Sequence, residues 1–159
     1  MTGRLIGIAR RAATRAPMEV IARAEVTLDA GIEGDFRGRI KPGSRGRRQV
    51  SLMEAGDWAR ATAELGVTLP WHARRANLLL DGFDLPQTVG ARIAIGGAVF
   101  EITTECDPCS RMEEIADGLY RALLPDWRGG ALARVIAGGS LALGDAVTLV
   151  PADAMEESA

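Results

Sequence analysis

The chain of 159 residues is poor in cysteine, histidine and lysine. Its two cysteines are too few for the disulfide framework of a small secreted protein. Its single histidine, His72, leaves one possible partner for a catalytic serine or cysteine, and the surrounding Pro-Trp-His segment shows no third group. Lys41 is the only lysine, so just one side chain could form a Schiff base. These scarcities disfavour hydrolase triads and lysine-based cofactor chemistry.

Long hydrophobic runs are also missing. The longest uncharged run covers residues 135–144, and its ten residues are short of the ~20 that cross a bilayer. The amino terminus lacks the apolar region of a signal peptide. We therefore expect a cytoplasmic protein with reduced thiols and no membrane partner.

The overall charge is slightly acidic. A formal net charge of −2 argues against general nucleic-acid binding. The hydrophobic fraction of 47% and the charged fraction of 25% are typical of globular proteins and exclude a mostly disordered chain. We predict a single domain over residues 1–150 and a flexible acidic tail over residues 151–159.

Short apolar or alternating runs between glycine turns predict a strand-rich fold. The predicted strands cover residues 5–8, 19–28, 49–52, 77–80, 92–95, 98–104, 132–137 and 146–150, with residues 138–145 as a link. Gly96-Gly97 is typical of a tight hairpin. The pattern indicates a mainly β fold with two or more helices (α+β), built on a closed or nearly closed β-barrel that protects strand edges.

Two helices are predicted from capping boxes, in which a serine and a glutamate three residues later satisfy free backbone amides. Ser51 with Glu54 marks the first helix, which should end at Gly66. Ser110 with Glu113 marks the second, whose apolar stripe reaches Leu123 and should pack in the core.

The sharpest chemical feature is Cys106-Asp-Pro-Cys109, between a predicted strand and the second helix. The positive end of a helix favours the thiolate form of a nearby cysteine, and Arg111 would add positive charge. A thiolate is a nucleophile and a soft metal ligand. The alternatives are a thioredoxin-like dithiol of Cys106 and Cys109, a zinc site short of ligands, and a pair of inert buried thiols.

A basic loop covers residues 37–48, where six of twelve side chains are cationic. Glycine amides and arginines together suit a phosphate. The alternative is a solvated loop. Near the next strand, Arg75 and Asn77 would share a face of an extended segment and could clamp a polar ligand, or they could satisfy loop carbonyls.

An ordered set of segments resembles the MOSC domain, the carboxy-terminal domain of molybdenum cofactor sulfurases, which also occurs as a standalone bacterial protein. The segments are Gly31-Ile-Glu-Gly-Asp35, Arg47-Arg-Gln-Val-Ser-Leu52 with Glu54, Arg75-Ala-Asn-Leu78, Val89-Gly-Ala-Arg-Ile-Ala-Ile-Gly96, Pro108-Cys109, Arg128-Gly-Gly130, Gly138-Gly139 and Gly144-Asp145. The resemblance covers residues 3–150 and implies a barrel fold and molybdenum-cofactor or sulfur chemistry.

By this resemblance, Cys109 would be the catalytic residue that ligates molybdenum of a pyranopterin cofactor or carries sulfur. Some members of the family reduce N-hydroxylated compounds. Further candidates for holding the cofactor and its phosphate are Arg47, Arg48, Arg75, Asn77, Asp107 and Arg111.

The resemblance also leaves choices open. Pyridoxal phosphate is not expected as a cofactor. Full-length sulfurases bind it in a separate domain that this sequence does not contain, and the single lysine, Lys41, lies in the basic loop. A reductase would need a separate redox partner, and a sulfur carrier would need a sulfur-donor protein. The remaining alternatives are a dithiol protein using Cys106 and Cys109, and a non-catalytic module for a phosphorylated small molecule.

Overall fold

A computed structural model describes residues 2–151, which form eleven β-strands, three α-helices and two 3-10 turns. The strands are β1 (Thr2–Arg10), β2 (Glu19–Ile21), β3 (Arg23–Thr27), β4 (Gly31–Ile32), β5 (Val50–Glu54), β6 (Leu78–Asp81), β7 (Arg92–Ile95), β8 (Ala98–Glu105), β9 (Ala131–Ala137), β10 (Gly139–Ala142) and β11 (Ala146–Leu149). The helices are α1 (Ala55–Leu65), α2 (Met112–Ile115) and α3 (Leu119–Ala122), with 3-10 turns at Trp71–Arg74 and Pro125–Trp127. None of the helices within residues 2–151 has the length and apolarity needed to span a membrane. Of the predicted tail, residues 152–159 lie outside the described residues.

Seven strands close into a mixed barrel, in the order β1-β6-β5-β9-β8-β7-β11 and back to β1. Closure depends on β1, which pairs with β6 on one side and with β11 on the other, at Thr2–Arg4. All neighbouring strands are antiparallel except β5 and β6. The mainly β fold and the barrel predicted from the sequence are confirmed, and the barrel is fully closed.

A second sheet of three strands, β10-β3-β4, lies beside the barrel. The single strand predicted over residues 19–28 is wrong, because Ala22 separates β2, which pairs with β1, from β3, which pairs with β10. The link predicted over residues 138–145 is wrong in part, since it contains β10. Pairing across chain-distant strands decides both points, and local alternation does not reveal it.

The core has two parts. One fills the barrel interior with alternate side chains of its strands, such as Leu78 and Leu80 of β6. The other packs the outer side of the barrel against the helices, and Leu79 faces that side together with Met53 and Trp58. Burying each such side chain stabilises the fold by about 1.5–3 kcal/mol.

Helix α1 ends as predicted but begins differently. Gly66 lies in the left-handed region at φ 65° and its N–H reaches the carbonyls of Ala63 and Thr62. The capping box predicted at Ser51 is wrong: Ser51 lies within β5, and Glu54 at the start of α1 makes no side-chain cap. Ser51 and Glu54 both belong to β5, which pairs with β6 and β9, so they do not form the turn that a capping box requires.

The second predicted helix is broken into α2 and α3. The capping box predicted at Ser110 is also wrong, because the N-cap residue of α2 is Arg111 and its side chain makes no capping bond. Ala116 is extended, and Gly118 takes φ 88°. The Glu113 carboxylate accepts hydrogen bonds from the N–H groups of Gly118 and Tyr120 and caps the start of α3. The apolar stripe is nevertheless core, as predicted, since Leu119 and its neighbours on the stripe pack in the outer cluster.

Candidate functional site

A cavity of about 280 Å³ lies at one end of the barrel, between the barrel wall and α2. It collects side chains from the segments that follow β1 and β8, from β5 and β9, and from the segment before β6. Its lining includes both cysteines and six arginines, which are Arg11, Arg37, Arg48, Arg74, Arg75 and Arg111. No other cavity described here brings thiols and arginines together.

The two cysteines stand differently in this cavity. Cys106 is half-buried and its N–H donates to the Gly130 carbonyl at 2.8 Å. Cys109 is exposed, and its carbonyl accepts from the Met112 N–H at 2.9 Å. The loop between them packs against Gly129, where an added Cβ would lie 2.5 Å from the Cys106 carbonyl oxygen. The Cys109 thiol therefore projects from an anchored turn and remains accessible to a ligand.

The helix after Cys109 contributes less than the sequence suggests. Helix α2 has four residues, and Arg111 occupies its N-cap position. So few aligned peptides make a small dipole. The positive charge near Cys109 comes instead from the arginines of the cavity.

Arg74 ties the cysteine loop to the barrel. It is 8% exposed, and its Nη2 donates to the carbonyls of Cys106 and Gly129, each at 3.0 Å. The same nitrogen lies 3.3 Å from the Cys106 sulfur. The Nε of Arg74 is buried and has no hydrogen-bond partner within the described part of the chain.

Arg11 is the second buried arginine, at 7% exposed, and its Nη1 likewise has no partner among residues 2–151. Burial lowers the pKa of Arg11, and the positive charges of Arg75 and Arg37 lower it further, whereas Asp35 raises it. Buried guanidinium N–H groups are costly to leave unpaired. Both arginine side chains line the cavity, so an anion there would meet their positive charge.

Asp35 supplies the one buried carboxylate of the site. It accepts a hydrogen bond from the Arg11 backbone N–H at 3.1 Å. Burial raises the pKa of Asp35, while hydrogen bonds from the Arg11 backbone and the Asn77 side chain oppose that change. Asp35 thus holds the segment after β1 in place and only partly balances the arginine charge.

Asn77 lies on the cavity wall with its amide engaged by the protein. Its Oδ1 accepts from the Ser51 N–H and hydroxyl, at 3.0 and 3.1 Å, and its Nδ2 donates to the Ala9 carbonyl at 3.1 Å. These bonds join β1, β5 and the segment before β6. The Asn77 amide is thus bonded within the protein, to a strand carbonyl and not to a loop carbonyl, and a contact with a ligand stays a prediction.

Arg75 does not share an extended segment with Asn77. It adopts a left-handed conformation at φ 66° and ends the 3-10 turn at Trp71–Arg74, with its N–H bonded to the His72 carbonyl. Its exposed side chain still lines the cavity. Left-handed backbone at a non-glycine residue is uncommon and concentrates at functional sites.

Asp107 also reaches the cavity, from the exposed part of the cysteine loop. Asp107 acts on Glu105, which lies outside the cavity lining. Burial raises the pKa of Glu105, and the charge of Asp107 and the hydrogen bond that protonated Glu105 donates to it raise that pKa further. Asp107 therefore adds a negative charge to a cavity lining that is otherwise rich in arginine.

Of the site residues predicted from the sequence, six meet in the cavity, and they are Arg48, Arg75, Asn77, Asp107, Cys109 and Arg111. Arg47 lines two neighbouring cavities instead. Sequence reasoning missed Arg11, Asp35 and Arg74 as site residues, whereas Arg37 belongs to the basic loop that was predicted to suit a phosphate. Asp35 lies in a segment that carries the family resemblance, but no role was assigned to it, and nothing local marks Arg11.

The basic loop forms a cavity of its own, of about 710 Å³, lined by all six of its cations. Lys41 lies here and not beside the cysteines. The loop is held by the Ile40 N–H on the Asp29 carbonyl and by the Gln49 side chain on the Leu28 carbonyl. Arg37 and Arg48 line both cavities, so the two basic surfaces are continuous.

Solved structures with the same architecture come from bacteria. The YuaD protein from Bacillus subtilis superposes with a TM-score of 0.78 at 22% identity, over 92% of this chain and 94% of that one. YiiM from Escherichia coli superposes with a TM-score of 0.64 at 19% identity, over 93% and 70% of the two chains. YiiM from Geobacillus stearothermophilus gives 0.65 at 16% identity, over 94% and 73%. At these identities the likeness shows the fold.

Among curated protein sequences, none matches the chain significantly. The family pattern of the MOSC domain, in contrast, matches residues 33–148, which is most of the chain and includes Asp35, Arg48, Asn77 and Cys109. The barrel fold agrees with that match. The chain therefore belongs to the MOSC domain family.

Proposed function

We propose that this protein binds a pyranopterin molybdenum cofactor in the cysteine–arginine cavity, with the Cys109 thiolate as the metal ligand. It would act as a reductase of N-hydroxylated compounds or as a carrier of sulfur or cofactor. The observation that carries the proposal is one cavity lined by the exposed Cys109 and by two buried arginines, Arg11 and Arg74. Each of these arginines keeps a guanidinium N–H without a partner among residues 2–151.

The residues present fit such a group in two respects. A thiolate is a soft ligand that suits a molybdenum centre whose other ligands come from the cofactor. The phosphate is an anion, and the guanidinium groups of Arg11 and Arg74 in the cavity lining would attract it, with Arg37 and Arg48, which line both cavities, adding charge. The cavity volume of about 280 Å³ is near the lower limit for small-molecule sites.

When bound, the cofactor would supply two-electron oxidation and reduction at the metal. The chain's own residues would bind and orient it. Cys109 fixes the metal side, while Arg74 and Asn77 hold the walls through their bonds to Cys106, Gly129 and Ser51. Met112 and Ile115 of α2 are apolar and would limit water on one side.

Either arm of the proposal needs a second protein. A reductase draws electrons from a separate redox partner, and a carrier receives sulfur from a donor. The exposed position of Cys109 suits both, because the thiol is reachable from solvent. The basic loop beside the cavity mouth would attract an acidic ligand or partner.

The test compares wild type with Cys109→Ala after production in a host that makes the cofactor. We expect near-stoichiometric molybdenum and pterin fluorescence in wild type, and loss of molybdenum in a folded Cys109→Ala protein, because the soft ligand is gone. Elemental analysis, pterin fluorescence and circular dichroism give the three readings.

Ser110→Ala is the matched control, since Ser110 is the exposed neighbour of Cys109 and does not line the cavity. It should keep the metal. A folded Cys109→Ala protein with full metal content would rule out the ligand assignment. A wild type that holds a phosphorylated ligand without molybdenum would favour the non-catalytic binding module.

A further inference from the structure

The cavity contains a second thiol, Cys106, whose position differs from that of Cys109. Cys106 is half-buried and anchored through its N–H to Gly130, whereas Cys109 is exposed. Both thiols line the same cavity. A reagent from solvent should therefore react first with the exposed Cys109, and the less exposed Cys106 lies three residues earlier in the same loop.

Arg74 holds the Cys106 sulfur in a defined setting. The guanidinium is more than nine-tenths buried and is fixed by two backbone carbonyls, and its Nη2 lies 3.3 Å from Cys106 Sγ. No comparable contact to the Cys109 sulfur is found among the described residues. A thiolate on Cys106, which is the form that attacks in an exchange reaction, would thus be paired with a positioned cation.

We propose that Cys106 is the resolving thiol for Cys109. When Cys109 carries an outer sulfur in a disulfide or persulfide bond, the Cys106 sulfur attacks the Cys109 sulfur. The Cys106–Cys109 bond forms, the bond to the outer sulfur breaks, and that sulfur leaves with the electron pair as a thiolate or as hydrosulfide. Arg74 is a positioning residue for this attack.

The exchange is balanced without a further oxidant, because one sulfur–sulfur bond replaces another. The sulfane sulfur comes from a persulfide donor, and a dithiol reductant returns both cysteines to thiols by supplying two electrons and two protons. The release of hydrosulfide rests on the sulfur-carrier arm of the proposed function. The exchange itself depends on the two cysteines and Arg74 alone.

The first experiment uses purified, reduced, cofactor-free protein and dithiodipyridine. In wild type, Cys109 attacks the reagent and releases one pyridinethione, and Cys106 then displaces a second from the adduct. The product is a protein two hydrogens lighter, with a Cys106–Cys109 bond found by peptide mass spectrometry. In Cys106→Ser the reaction should stop after one pyridinethione, with a stable adduct on Cys109.

Arg74→Lys tests the positioning role. The first release, from exposed Cys109, should keep its rate, whereas the second should slow about tenfold, as expected when one charge-assisted hydrogen bond is lost. A merely structural effect would change both steps or unfold the protein. Ser110→Ala should match wild type in both steps. If Arg74→Lys does not fold, Cys106→Ser still decides the proposal.

Several results would overturn it. One is a wild type that ends with a stable single adduct or with adducts on both cysteines. Another is a second release that persists in Cys106→Ser. A third is a Cys109→Ser protein that reacts at Cys106 as fast as wild type reacts at Cys109, because Cys106 would then be the first thiol.

A second experiment mixes a small-molecule persulfide with reduced wild type and with reduced Cys106→Ser, so that its sulfane sulfur passes to Cys109 and its thiol leaves. Wild type should release hydrosulfide and Cys106→Ser should retain the persulfide. Molybdenum content measured on Cys106→Ser separates the two ideas. If that variant keeps molybdenum but wild type shows no exchange, the resolving role fails and the proposed function stands. If exchange occurs in a protein that never binds molybdenum, the resolving role stands and the proposed binding of molybdenum fails.

Discussion

Two buried arginines carry most of the information at the scale of single residues. The chain is rich in arginine, and in the sequence Arg11 and Arg74 look like any others. Only burial separates them: both line the cavity, both are below one-tenth exposed, and each keeps a buried N–H with no partner in the part of the chain that the structure describes. An unpaired buried donor costs about 1–3 kcal/mol, more when it is charged, so the pair indicates a site that an anion completes.

The adjacent arginines Arg47 and Arg48 allow a direct comparison, because only Arg48 lines the cysteine cavity. We expect Arg48→Ala to weaken cofactor retention about tenfold, the effect of losing one charge-assisted contact, and Arg47→Ala to weaken it less. Titration of the apo-protein with cofactor, followed by pterin fluorescence, measures both.

Arg23→Ala is the control for loss of positive charge in general, because Arg23 is exposed at the start of β3 and does not line the cavity. It should leave affinity unchanged. Equal losses in Arg47→Ala and Arg48→Ala would mean that the whole basic loop, and not the cavity wall, holds the phosphate.

Secondary-structure elements show how neighbours override local signals. Ser51 and Glu54 have the spacing of a capping box, yet β5 continues through both because it pairs with β6 and β9. The carboxylate of Glu113 caps α3, which follows it, and not the helix that it was expected to begin. In each case a polar side chain satisfies backbone groups, but the fold selects which ones.

At the scale of elements, we make a prediction about protein stability at Gly130, which immediately precedes β9. Its φ is +94°, and a Cβ would lie 2.0 Å from the Leu52 carbonyl oxygen in β5. Gly130→Ala should lower the free energy of unfolding by about 2–4 kcal/mol, because strain and a backbone clash add. It should also disturb the Cys106 loop, whose N–H bonds to Gly130. Urea unfolding measures the change.

Gly144→Ala is a matched control, since Gly144 has the same φ of +94° and no atom within 4 Å of the added Cβ. It isolates the conformational cost, about 1–2 kcal/mol. If the two variants lose the same stability, the contact with Leu52 contributes nothing, and the argument from close approach is incorrect.

For the whole molecule, closure of the barrel separates two ends with different charge. The arginines gather where β1 and β8 finish. Near the other end, Glu54 accepts a hydrogen bond from the Leu85 N–H and faces Asp57 and Asp84, while Asp57 pairs with Arg60 at 2.6 Å. Burial and the charge of Asp57 raise the pKa of Glu54 to about 7.

This carboxyl should make global stability depend on pH. A raised pKa in the folded state means that Glu54 stabilises the fold while protonated, fully below the usual value of 4.5, and that this contribution is lost as pH rises through about 7. Glu54→Gln, which stays neutral, should therefore raise the free energy of unfolding at pH 8 by on the order of 1 kcal/mol and give little gain at pH 4.

Chemical unfolding across that pH range provides the measurement. Glu33→Gln, which removes an exposed carboxylate, is the control and should not change the pH dependence. A Glu54→Gln protein with the same pH profile as wild type would show that Glu54 ionises normally in the folded state.

The sequence alone was enough for the fold class, most strands, the Gly66 helix end, the core stripe of the second helix and the family. These depend on period-two alternation, on glycine at sharp turns and on an ordered set of motifs, all of which are local or linear. The same reasoning placed six of its candidate residues where the cavity is.

Tertiary structure decided the remainder. Strand pairing at a distance split residues 19–28 between two sheets, created β10 and stopped the capping boxes from forming. Burial distinguished Arg11 and Arg74 from the other arginines. Packing also engaged the Asn77 amide in hydrogen bonds to Ser51 and Ala9. Pairing and burial arise from contacts between residues far apart in the chain, and a sequence read locally does not contain them.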